Sequence, residues 1–115
     1  MPVDPAGGAL AVDLAAVLER ARGDGAVWTA DSADLQVNLV RWSAGRGVAE
    51  HLNGEVDVLL VGVAGEAIVS VDGSECRLRP GSLCLVPKGA RRSIRAGSEA
   101  VAYLTCHRRR AGLMP

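Results

Sequence analysis

No phenylalanine occurs in this chain of 115 residues, and only one tyrosine and two tryptophans make up its aromatic content. A core must therefore be built from Val, Leu, Ala and Ile. At this length one domain is expected, with a small core. Charge of one sign is also missing. Thirteen basic residues face thirteen acidic ones, so no global field steers the protein toward nucleic acid or an anionic membrane. Lysine is nearly absent, Lys88 being the single one. We read that bias as the mark of a GC-rich, bacterial genome and not as chemistry. No apolar run approaches membrane-spanning length. The first residues, Met-Pro-Val-Asp-Pro-Ala-Gly-Gly, place no basic residue ahead of an apolar stretch, so they do not read as a secretory leader. A cytoplasmic protein is expected.

Cysteine is scarce too. Cys76, Cys84 and Cys106 are odd in number, far apart in sequence and embedded in apolar strand patterns. They read as buried thiols in a reducing compartment. A three-cysteine metal site would call for closer spacing. Arg108-Arg-Arg110 is too short, and too bare of aromatics, for a nucleic-acid surface. It reads as a solvated tail.

The residues present describe strands. After an arm over 1–10, Asp13 can cap a short helix in which Leu14, Val17, Leu18 and Ala21 fall at helical spacing, closed by Gly23 and Gly25. That helix should lie against the outside of a barrel or at a subunit contact. Strands are then expected at Ala26–Ala30, Leu35–Trp42, Val48–Asn53, Val56–Val63, Ala67–Val71, Ser74–Arg79, Ser82–Val86, Arg91–Ile94 and Ala100–His107. Asp72-Gly73 is a strong two-residue hairpin signal. Many short strands with Gly or Pro at the turns predict an all-β, antiparallel barrel or sandwich. One domain over 11–107 and a basic tail over 108–115 complete the expected organisation.

The candidate site lies in two stretches. In the first, His51, Asn53, Glu55 and Asp57 occupy alternate positions. On one extended strand all four would project to one side. That face would be either solvated or the lining of a pocket. In the second, a short apolar strand after Gly81 runs into Pro87-Lys88-Gly89 and then Arg91-Arg92. Trp42, Tyr103, Gln36, Asn38 and His107 are further candidate pocket walls.

Together these stretches resemble the paired motifs of the cupin family. Gly45, His51, Asn53, Asp57 and Gly65 follow the order of its first motif. Asn53 stands where a second His is usual, Asp57 where Glu is usual, and Gly65 falls one residue late. Gly81, Pro87 and Gly89 match the second motif, with Arg92 in place of its His and Ala96 in place of its Asn. The resemblance covers roughly residues 35 to 107. It implies a double-stranded β-helix, the jelly-roll barrel, with a metal held through His51, Asn53 and Asp57. The substitutions bear on that metal. An amide is a weak ligand for most of these ions, and a guanidinium cannot ligate a cation at all. Arg92 instead suits a carboxylate, either Asp57 or Glu55 or that of an anionic ligand.

Two function classes follow. One is a small-molecule binding module, with an anionic ligand held by Arg92 in a pocket formed by His51, Asn53, Glu55, Asp57, Trp42 and Tyr103. Its divalent metal would be weakly bound or absent. The other is a metal-dependent enzyme of the oxygenase or isomerase type using His51, Asn53 and Asp57. No catalytic residue is assignable in either. A third and blander option is a dimeric structural protein with a closed barrel, since apolar strands on both faces of a short barrel suggest a homodimer; neither nucleic acid nor a membrane is an expected partner.

Overall fold

Asp13 starts the helix at the N-terminal end. Its Oδ1 accepts hydrogen bonds from the Ala15 and Ala16 N–H groups at 3.1 and 3.3 Å, meeting donors that have no partner within a first turn. Helix α1 (Leu14–Arg20) closes sooner than its glycines suggested, at an extended Ala21 whose N–H returns to the Leu18 carbonyl. The computed structural model describes residues 9–109.

Nine strands follow: β1 (Gly25–Asp31), β2 (Leu35–Trp42), β3 (Gly47–Leu52), β4 (Val58–Ala64), β5 (Ala67–Val71), β6 (Ser74–Leu78), β7 (Leu83–Val86), β8 (Arg91–Ala96) and β9 (Val101–Arg108). They form two facing antiparallel sheets, in the orders β1-β2-β9-β4-β7 and β3-β8-β5-β6. The all-β barrel is thus as expected, and so is the hairpin at Asp72-Gly73. There φ is positive at both residues, 49° and 85°, which is the backbone a tight hairpin turn matched to the strand twist requires. Of the ends of the expected organisation, residues 1–8 and 110–115 lie outside the described residues. Strand β9 continues through Arg108, and the Arg109 N–H bonds the Asp34 carbonyl at 2.8 Å.

Alternation along the strands divides inside from outside. Val58 and Leu60 of β4, Val69 of β5, Ile94 of β8, and Val101 and Tyr103 of β9 point between the sheets and are buried, joined by Val56, Leu78 and Val86. Burying each such side chain contributes about 1.5–3 kcal/mol, before entropy is charged against it. The outer face of the five-stranded sheet is also apolar. Register places Leu85, Leu59, Cys106 and Val37 in one row, and Leu83, Val61, Leu104 and Leu39 in the next. Leu10, Val12 and Leu14 border a groove over the β1–β2 end of this face with Trp28, Ala30 and Val37. The N-terminal segment therefore lies against the outside of the barrel.

Candidate functional site

Between the sheets, at one end of the barrel, lies a cavity of about 670 Å³. Its walls come from alternate residues of several strands. Strand β2 supplies Asn38, Val40 and Trp42, β9 supplies Tyr103, Thr105 and His107, and β8 supplies Arg92 and Ile94. Four of the five further candidate walls are thus in place, and Gln36 is the one that does not line the cavity.

Arg92 is the buried charge of this wall, 5% exposed. Strand alternation explains it, because Arg92, Ile94 and Ala96 face inward while Arg91 and Arg95 face solvent. Directly across the ladder from Arg92 is His51. An irregularity of register between Val48 and His51 puts both on the cavity side: three steps along β3 match only two along β8, from Ile94 to Arg92. Without that extra residue, Val48 and His51 would point to opposite faces.

The expected single face of four polar residues is not formed. Strand β3 stops at Leu52 and β4 starts at Val58. Between them Asn53 turns the chain, its Oδ1 accepting the Glu55 N–H at 2.8 Å. A turn breaks the two-residue alternation, so the parity that held along β3 is lost beyond it. His51, Asn53 and Glu55 border the cavity, whereas Asp57 does not. Asp57 is exposed, and its Oδ1 accepts the Lys88 N–H at 2.8 Å. The residue that enters the core here is Val56, 1% exposed. The Asn53 carbonyl accepts the Gly89 N–H at 2.7 Å. The loop is thus tied twice to the Pro87-Lys88-Gly89 turn that launches β8 and Arg92.

Asn53 Nδ2 is buried and has no hydrogen-bond partner. Such a donor costs about 1–3 kcal/mol while it stays unmet. Trp42 Nε1 donates to the Tyr103 hydroxyl at 2.9 Å. Burial pushes the Tyr103 pKa up, partly opposed by that hydrogen bond, so the phenol stays protonated at neutral pH. Further along the same strands, toward the more exposed end, Asn38 Nδ2 donates to Thr105 Oγ1 at 3.0 Å, and Thr29 Oγ1 donates to Asn38 Oδ1 at 3.0 Å. His51 Nδ1 lies 3.0 Å from the Ala49 carbonyl and His107 Nδ1 lies 2.8 Å from that of Arg108. A carbonyl only accepts, so each neutral ring carries its proton on Nδ1 and keeps the Nε2 lone pair.

A divalent metal held by His51, Asn53 and Asp57 does not fit these residues. Asp57 is turned to Lys88, Asn53 Oδ1 is committed to its own turn, and a guanidinium faces His51 across the ladder. Among the described residues no three His, Cys, Asp or Glu side chains gather where they could share an ion. The cysteines differ from expectation too. Cys76 is exposed and Cys84 and Cys106 are half-buried. Strand alternation could have placed them on faces, but not next to one another.

No protein-family model matches this chain, and no curated protein does. Solved structures do. The chain is similar to a protein from Neisseria meningitidis, with a TM-score of 0.75 and 21% identity over 87% of this chain and 100% of that one. It is similar to a cupin protein from Bacteroides fragilis, with a TM-score of 0.60 and 21% identity over 73% and 72% of the two chains. It is also similar to a DMSP lyase from Ruegeria pomeroyi, with a TM-score of 0.64 and 24% identity over 74% of this chain and 43% of that one. Identities this low speak to fold alone, and proteins sharing this fold include enzymes and non-enzymatic modules alike. Two facing antiparallel sheets, a mouth framed by the two motif loops and this set of structural neighbours agree: by fold, the chain is a small cupin barrel.

Proposed function

We propose that the barrel mouth binds a small molecule through a carboxylate or a similarly compact anionic group. The observation that carries this reading is Arg92, a guanidinium 5% exposed in the wall of a 670 Å³ cavity. A planar fork of donors suits a carboxylate, and in a partly dry site such bonds are strong. The buried Nδ2 of Asn53 supplies a further donor, and Val40, Val58 and Leu60 give an apolar body to the pocket. A small cavity with a few convergent polar groups is the usual form of a small-molecule site.

The test is a titration of the protein with small mono- and dicarboxylates and with their matching amides, followed by the fluorescence of Trp42. Carboxylates should bind and amides should not. Arg92→Gln should weaken carboxylate binding by about tenfold or more, the worth of one or two charged hydrogen bonds. Equal binding of amide and acid, or an unchanged affinity in Arg92→Gln, would remove the anion reading.

Pairing with a second copy belongs to the same proposal. Leu83 and Leu85 remain 65% and 61% exposed at the β7 end of the outer apolar rows. On a two-fold axis this patch would meet itself, burying in each copy what it buries in the other. Sedimentation of the unmodified protein should give a dimer, and Leu83→Glu with Leu85→Glu a monomer of unchanged fold. A monomer at all concentrations before mutation would refute the pairing. No helix among the described residues is long and apolar enough to cross a membrane.

A further inference from the structure

Strand β6 is the edge of the four-stranded sheet and β7 the edge of the five-stranded one. No ladder joins them, yet each contributes a cysteine to the seam. Cys76 Sγ donates to Cys84 Sγ across 3.4 Å. The two thiols come from opposite sheets, and one of them is open to solvent. We propose that Cys76 and Cys84 are a redox site that forms a reversible intramolecular disulfide by exchange with a small disulfide such as oxidised glutathione. This inference is independent of what the barrel mouth binds.

Geometry favours the bond. A disulfide needs its sulfurs about 2.05 Å apart, so closure from this contact is a movement of little more than 1 Å. Both strands are edges, each hydrogen-bonded on one side only, and can shift without breaking a second ladder. The order of events follows from exposure. Cys76, as thiolate, attacks one sulfur of the oxidant and expels the first glutathione thiolate, leaving a mixed disulfide on Cys76. Cys84 then loses its proton to water and attacks the Cys76 sulfur, expelling the second thiolate. Two protein thiols become one disulfide, and the oxidant is reduced to two thiols. Burial, and then the neighbouring Cys76, push the Cys84 pKa up to about 11. Cys84 is therefore a poor first nucleophile, and its attack is made efficient by proximity. Cys106 lies on β9, opposite Val37 and Leu59, with no second thiol beside it among the described residues, and should stay reduced.

The bond would staple the two sheets at a seam that no backbone ladder closes. Through β7 it would also brace the turn at Pro87-Lys88-Gly89 and so the loop at the barrel mouth. The experiment treats the full-length folded protein with oxidised glutathione and maps its peptides by mass. The expected product joins the Cys76 and Cys84 peptides with loss of two hydrogens, is reversed by dithiothreitol and leaves Cys106 as a thiol. Its unfolding midpoint should rise by roughly 5 °C. Cys84→Ser should stop at the glutathione adduct on Cys76, and Cys76→Ser should give no adduct at the remaining pair position. A stable glutathione adduct on Cys76 in the unmodified protein, a disulfide between two copies, or cross-linking only after denaturation would overturn the proposal.

Discussion

Replacing Arg92 by alanine should destabilise the barrel by about 3–5 kcal/mol, while the same change at Arg91 should cost about 0–1 kcal/mol. The residues are adjacent and chemically identical, so location alone separates them. Arg92 is enclosed in the wall and engaged by neighbouring groups. A guanidinium is tolerated there only when its charge and donors are met. Removing it strands the groups that met it and leaves the space of a long aliphatic stem beside Ile94. Arg91 reaches Glu50 at 4.0 Å with both side chains about two-thirds exposed, at 65% and 64%. Water and salt screen that pair. Urea unfolding of the two variants makes the comparison directly. Small, equal losses would mean that the Arg92 side chain is solvated, and the anion-binding proposal would lose its support.

Gly47→Ala should be nearly as damaging, by about 3 kcal/mol. A Cβ at this position would drive into the backbone carbonyl of Ile94 on the facing strand. A carbonyl in a ladder cannot rotate aside as a side chain can, so β3 and β8 must separate. Strand β8 carries both Arg92 and Ile94 into the cavity, so the same change should also weaken any ligand held at Arg92. Gly54→Ala is the control within the same stretch of chain. Its added methyl would meet only Leu52 Cδ2, at 3.9 Å, and should change stability by no more than about 0.5 kcal/mol. Thermal unfolding of both variants decides the matter. A Gly47→Ala protein as stable as Gly54→Ala would mean that the strands are less closely apposed than described.

Local rules were sufficient for much of this protein. Alternation of apolar residues, with glycine or proline between most of the runs, marked each of the nine strands to within a residue or two. Asp13 and the helical spacing after it marked α1. The hairpin at Asp72-Gly73 and the inward aim of Arg92 against the outward Arg91 also follow from neighbours in sequence, because a strand repeats every two residues.

The same rule failed at Asn53. It carried the alternation from His51 to Asp57 across the break expected between Asn53 and Val56, but an Asn-Gly pair favours a turn, and Asn53 makes one through its own side chain. Val56 then took the inward position and Asp57 went to the Lys88 turn. That dipeptide was the available signal. Other features have no local signal at all. The cross-ladder meeting of His51 and Arg92 needs the register irregularity in β3. The contact of Cys76 with Cys84 needs two sheets to close so that their free edges meet. Where strands begin, and which side chains share a face of each, follow from adjacent residues and so could be read along the chain. Which faces meet, which acid leaves the mouth and which thiols touch were decided only by packing the sheets together, where contacts between distant residues set the outcome.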